Sequence, residues 1–182
     1  NMGKGAAVRR GLQESKGDFH VFTDVDLAYD LDQVDKVVKK LQQGADLAFA
    51  DRRHPESTCV VATQKVDYQK KRDTMSFVLN KLVERMGLGN IRDTQAGLKG
   101  LRKSASPLVA KGCVNGFPFD IELFAIARAN NLTTEPVPIQ YNIEDAPSTV
   151  MPVPVVIDFL KSIRTIRKKM IQGAYYAVPK ES

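Results

Sequence analysis

Between residues 19 and 50, two short and almost wholly apolar runs flank a stretch whose apolar residues recur at helical spacing. This arrangement constrains the fold more than any other feature of the chain. The first run, Phe-His-Val-Phe-Thr at 19–23, and the second, Asp-Leu-Ala-Phe-Ala at 46–50, lack the strict alternation of a strand with one wet face. Each therefore predicts a strand covered on both sides. Between them Val34, Val37, Val38 and Leu41 fall on one helical stripe over 33–43, and Gly44 closes the helix. A strand, a helix and a second buried strand in that order form a β-α-β unit, which predicts an α/β fold with an open, mostly parallel sheet.

The remaining pattern extends that architecture. Helices are predicted over 3–16, 66–86, 119–131 and 155–172, and strands over 95–101 and 133–141, with a polar loop at 52–64. Pro136 and Pro138 place the 133–141 strand at a sheet edge, since proline cannot donate to a ladder. The final helix sets Ile157, Leu160, Ile163, Ile166 and Met170 against Lys161, Arg164, Arg167, Lys168 and Lys169, so residues 151–182 read as a basic amphipathic helix and tail after a catalytic portion at 1–150. No apolar run approaches the ~20 residues of a membrane-spanning helix. The 27 Lys and Arg against 21 Asp and Glu, a net charge of +6, favour phosphate-bearing partners. Aromatic residues are only 7% and no nucleic-acid motif is present, so nucleic acid is not the expected partner. Cys59 and Cys113 form no Cys-x-x-Cys pair, which argues against a zinc site or a disulfide framework and for a reducing compartment. Asn1 stands before Met2 and the chain opens directly on a helix-start pattern, which reads as a fragment.

Chemistry concentrates where the first apolar run ends. Asp24 and Asp26 stand two residues apart, so in extended backbone both carboxylates project to the same side. That end of a strand is where open α/β sheets bind ligands. Two hard oxygen donors suit Mg²⁺ or Mn²⁺, which keep further positions for water and the oxygens of a diphosphate. On the residues alone a solvated loop or a helix cap explains the pair as well.

Context decides between those readings. Asn1-Met-Gly-Lys-Gly-Ala-Ala-Val-Arg-Arg-Gly11, Phe22-Thr-Asp-Val-Asp-Leu27, Asp93-Thr-Gln-Ala-Gly-Leu-Lys-Gly100 and Gly116-Phe-Pro-Phe-Asp-Ile-Glu-Leu123 follow one another along the chain. In that order they closely resemble successive blocks of the family 2 glycosyltransferases, in the branch of dolichyl- and polyprenyl-phosphate glucosyl- and mannosyltransferases. The resemblance implies a Rossmann-like nucleotide-sugar fold of the GT-A type, with inversion at the anomeric carbon and a divalent metal on Asp24 and Asp26. It implies a donor such as UDP-glucose or GDP-mannose, a polyprenyl phosphate acceptor, and a place in the cytoplasm, peripheral on the cytoplasmic face of a membrane. Members begin with a strand ending in a Pro-x-Tyr-Asn-Glu-like segment and further nucleobase-holding strands, which this chain lacks. The fold is therefore expected to be N-terminally truncated and the isolated chain inactive. The alternative is a non-catalytic remnant whose basic surface binds phosphate or lipid.

The same blocks suggest roles for single residues. Lys4, Arg9 and Arg10 either attract the donor diphosphate or form an ordinary solvated helix face. Arg52 stands where the family places an arginine on phosphate, and a guanidinium fork matches phosphate oxygens bidentately; Arg53 and Arg72 add positive charge nearby. Asp93, with Gln95, belongs to the family's acceptor-side wall, and Lys99 either adds to phosphate binding or is a solvated strand lysine. Asp120 is implied to face the sugar and Glu122 to support it, although acidic residues also open helices without catalytic duty. His20 and His54 have no triad partners in view and receive no role.

Overall fold

A computed structural model describes residues 1–25, 29–61, 91–143 and 153–177. Asp26, Arg72 and the helix predicted over 66–86 lie outside the described residues. In chain order the elements are α1 (Lys4–Glu14), β1 (Phe19–Phe22), α2 (Leu31–Gln42), β2 (Leu47–Asp51), β3 (Thr58–Val61), β4 (Lys99–Arg102), α3 (Ser106–Ala110), α4 (Phe119–Ala129), β5 (Thr134–Pro138), β6 (Gln140–Ile143) and α5 (Val153–Ile171).

The main sheet runs β1-β4-β2-β5. The predicted β-α-β unit is present, but its two strands are not neighbours. β4 lies between β1 and β2 and is antiparallel to both, while β2 and β5 pair in parallel. Three of the four strands thus run in one direction, so the sheet is mostly parallel as expected. The antiparallel member is a four-residue strand, Lys-Gly-Leu-Arg, whose direction no apolar pattern records. The prolines of β5 sit on an edge strand, as their missing N–H groups require. The chain breaks at Ile139, so the strand predicted over 133–141 is two, and β6 leaves the main sheet to pair in parallel with β3. β3 arises inside the stretch read as a polar loop.

Helices cover both faces. β2 alternates across the sheet: Ala48 and Ala50 pack with Val37 and Leu41 of α2, whereas Leu47 and Phe49 face α4 and a core that includes Leu12, Ile121, Phe124 and Ile126. The Phe49 and Phe124 rings meet edge to face at 4.9 Å. Terminal helix α5 joins the same core through Phe159, Ile163 and Ile166, while Ile157 and Leu160 stay exposed. The apolar stripe is thus divided, and its inner part packs against α4. Among the described residues, no helix is long and apolar enough to cross a membrane.

Candidate functional site

Strand register gathers the charged residues at one end of the sheet. Phe22, the last residue of β1, and Phe49 of β2 both lie opposite Lys99, the first of β4. The C-terminal ends of β1 and β2 therefore meet the N-terminal end of β4, bringing Asp24, Arg52 and the 93–99 segment together. From the other side comes α1. A Cβ on Gly5 would stand 2.2 Å from the Val114 carbonyl oxygen and 2.8 Å from Phe119 Cβ, so only glycine lets the helix start press against the 114–119 turn. Gly3, at φ +91, turns the chain into that contact.

The close approach sets Lys4 beside Asp120. Lys4 Nζ lies 2.8 Å from Asp120 Oδ2 and 2.8 Å from Asp24 Oδ1, and so bridges two carboxylates from different elements. The other Asp120 oxygen accepts from Lys99 Nζ at 2.8 Å, and Lys99 also donates to the Ala96 carbonyl. Lys99 is 0% and Asp120 1% exposed. Asp24 is the open member, its side chain 35% exposed. A Cβ on Gly97 would lie 2.4 Å from Asp24 Oδ2, so the absent side chain is what admits this carboxylate.

The two ammonium groups differ electrostatically. Burial pulls both down, but the charges of Asp120 and Asp24 more than offset it at Lys4, which is held above the ordinary lysine value. At fully buried Lys99 desolvation wins over Asp120, and its pKa falls. Lys4 is the firmly charged partner.

A second pair forms the neighbouring wall. Arg52 closes bidentately on Asp93, Nε donating at 2.6 Å and Nη2 at 2.8 Å, and its backbone N–H adds a bond at 3.2 Å. Burial pushes the Asp93 carboxyl up, but Arg52 outweighs it and holds the group below the usual carboxylate range. The fork expected to grip phosphate is therefore engaged by Asp93. Gln95 donates its backbone N–H to Asp93 Oδ1 at 3.2 Å and its side-chain amide to Thr94 Oγ1 at 3.3 Å. Arg53 is exposed on the adjoining turn, where its N–H donates to Asp51.

Arg9 and Arg10 do not join the cluster. Arg9 donates to the Val114 carbonyl at 2.7 Å and to Asn115 Oδ1, which ties α1 to the 114–115 turn. Arg10 pairs with Glu14 one helical turn on, 80% exposed, as on an ordinary solvated helix face. The histidines are used locally: His20 bonds Ser106 and the Gly17 carbonyl, and His54 accepts from the Glu56 N–H. One residue that sequence reasoning passed over is Tyr29. Its buried hydroxyl accepts the Gly97 N–H at 3.3 Å and feels the charges of Arg52, Asp93 and Asp24. Only its place three residues beyond the Asp-Val-Asp run hints at this.

Residues 1–107 match the family model described as Glycosyl transferase family 2. The chain belongs to that family. A dolichyl-phosphate β-glucosyltransferase of Trichomonas vaginalis is 29% identical over 148 residues, which cover 78% of this chain and 42% of the relative. One from Saccharomyces cerevisiae is 26% identical over 187 residues, covering 96% of this chain and 54% of the relative. The chain thus spans about half the length of these curated relatives. Among solved structures, glucosyl-3-phosphoglycerate synthase from Mycobacterium tuberculosis in complex with UDP superposes with a TM-score of 0.62 at 18% identity, over 92% of this chain and 55% of that one. The same synthase with Mn²⁺, UDP-glucose and phosphoglyceric acid gives 0.56, at 18% identity over 89% and 55% of the two chains. The structural likeness shows an α/β fold of the GT-A kind.

Proposed function

We propose that this chain carries the reaction centre of an inverting hexosyl transfer. The donor is a nucleotide-sugar, UDP-glucose or GDP-mannose, and the acceptor a polyprenyl phosphate of the dolichyl type. The observation that carries the reading is the Lys4–Asp24–Asp120–Lys99 cluster at the ligand-binding end of the sheet, in a family 2 chain whose relatives are named dolichyl-phosphate β-glucosyltransferases.

The donor set fits a divalent cation. Asp24 offers hard carboxylate oxygens, is the open member of the cluster, and already takes a cation, the Lys4 ammonium, at 2.8 Å. Among the described residues no group of three or more metal-binding side chains converges. Asp24 and Asp26 are the residues that would hold Mg²⁺ or Mn²⁺. When bound, the ion would neutralise charge building on the departing nucleoside diphosphate.

The rest of the work falls to positioning. The acceptor phosphate is already an anion, since a phosphate monoester has its second pKa at about 6, so no strong general base is needed. One of its oxygens forms a bond to the anomeric carbon as the bond to the diphosphate breaks and its electron pair leaves with the diphosphate. Lys4 and Lys99 each hold one oxygen of Asp120 and so fix its orientation for contact with the sugar. Arg52 fixes the Asp93–Gln95 wall on the acceptor side, and exposed Arg53 adds positive charge beside it. Asp, Lys and Arg run this site without a histidine because charge placement, not proton abstraction, is the demand. The exposed Lys161, Arg164, Arg167 and Lys168 of α5 support approach to anionic headgroups on the cytoplasmic face of a membrane.

The test is transfer of radiolabelled sugar from UDP-glucose or GDP-mannose to dolichyl phosphate, by membranes of cells expressing the complete gene. Asp24→Asn is expected to lower kcat at least ~100-fold and to remove its dependence on added Mn²⁺. Normal activity with unchanged metal dependence overturns the assignment.

A further inference from the structure

We infer that Lys4 is the resident counter-ion of the cation seat on Asp24, and that it sets how tightly a divalent metal binds there. The inference rests on the reading of Asp24 as a metal ligand. Its own content concerns the lysine.

Three observations carry it. The Lys4 ammonium lies 2.8 Å from Asp24 Oδ1, the distance of a full ion pair rather than a passing contact. With Oδ2 packed over Gly97, a cation approaching from solvent meets a carboxylate whose other oxygen is already engaged. Lys4 also holds Asp120 at 2.8 Å, so it can give up Asp24 and remain tethered by its second carboxylate. Lys99 holds the other Asp120 oxygen at 2.8 Å, so Asp120 keeps a second donor whichever carboxylate Lys4 serves.

The consequence is competition. Asp24 already has the Lys4 ammonium as its partner, so its carboxylate is paired before any metal arrives. A divalent ion that takes both oxygens of Asp24 must displace an ammonium or sit beside it against like-charge repulsion. Lys4 thereby discriminates against weakly binding cations. Once displaced, it remains anchored at Asp120, at the edge of the same seat, with its charge free for an anionic ligand.

Mn²⁺ titration of the purified protein, with free Mn²⁺ read by electron paramagnetic resonance, tests this without reference to turnover. Lys4→Gln is expected to tighten Mn²⁺ binding about tenfold, the order of effect of removing one like charge from beside the site. Lys4→Arg should stay near the wild-type affinity, and Asp24→Asn should abolish binding in every background. Binding that is sensitive to Asp24→Asn but equally tight in wild type and Lys4→Gln overturns the role of Lys4 alone. No binding sensitive to Asp24→Asn in either protein overturns the metal reading, and the inference with it. A second measurement needs no variant. Acetylation of wild-type Lys4, followed by mass spectrometry, should rise when Mg²⁺ is added while exposed Lys103 stays constant. Unchanged Lys4 reactivity at saturating Mg²⁺ overturns the displacement.

Discussion

Asp120 and Glu122 share one turn of α4, and the chain surrounds them in opposite ways. Both are buried, at 1% and 0% exposure. Two residues along a helix rotate a side chain by about 200°, so they point to different sides. Asp120 meets charge: Lys4 and Lys99, each at 2.8 Å. Glu122 meets mainly neutral donors: the N–H groups of Cys113 at 3.0 Å and Val114 at 2.8 Å and the Tyr175 hydroxyl at 2.8 Å, with Arg9 no closer than 4.0 Å. A carboxylate held by ammonium groups on flexible stems can exchange partners when a ligand arrives. One held by backbone amides and a core phenol cannot. Under the proposed function the difference separates a working carboxylate from a structural one, although a single sequence block carries both.

The largest effect should come from Asp120→Asn. It leaves fully buried Lys99 without its counter-charge, at a cost of ~3–5 kcal/mol in urea unfolding. Adding Lys99→Met should restore much of that stability but no sugar transfer. A single variant as stable as wild type would break the comparison. Next comes Glu122→Gln, which turns an amide N–H toward the N–H groups of Cys113 and Val114. It should cost ~2–3 kcal/mol and lower Tm by roughly 4–12 °C, while the folded fraction keeps its turnover. Turnover lost beyond the unfolded fraction would move Glu122 into the working class.

The smallest effect concerns a third buried carboxylate, Asp93. Arg52 overrides burial and holds its folded pKa below the unfolded value of about 3.9. A depressed carboxylate stabilises the fold above its unfolded pKa, and that contribution is lost as pH falls through the folded value. The Asp93 contribution is therefore intact at neutral pH and disappears below about pH 4. Asp93→Asn should flatten the acid limb of urea midpoints measured against pH, and an unchanged limb would show that the Arg52 pair adds nothing to folding.

Most of the fold was legible because its helices obey their periodicity and stop at glycines. The buried runs at 19–23 and 46–50 are strands for the reason that their lack of alternation suggests. β4 was not legible in direction, since pairing is set by partners 50 or more residues away and not by its own four residues. β3 hid for a similar reason: Thr-Cys-Val-Val reads as a strand only once β6 lies beside it. In the site, the blocks pointed to Lys4, Asp24, Asp93, Lys99 and Asp120, but not to who holds whom. A strand lysine looks solvated in sequence, and Lys99 is instead enclosed because β4 is an interior strand with Asp120 behind it. Arg9 looked like an anion receptor and is a clamp on a turn, because the Gly-Lys-Gly start brings carbonyls within its reach.

The insertion of β4 between β1 and β2 has a consequence for how the protein is made. β1 and β2 leave the ribosome before β4 and have no mutual ladder to form. The strand that joins them arrives only after residue 102 has been synthesised. Until then their facing edges are open, and closure must pay the entropy of a long loop before any pairing rewards it. Assembly of the sheet is therefore a single late event rather than growth strand by strand. Refolding should be slow for a domain of this size, with open edges offered to other chains for as long as that step is delayed.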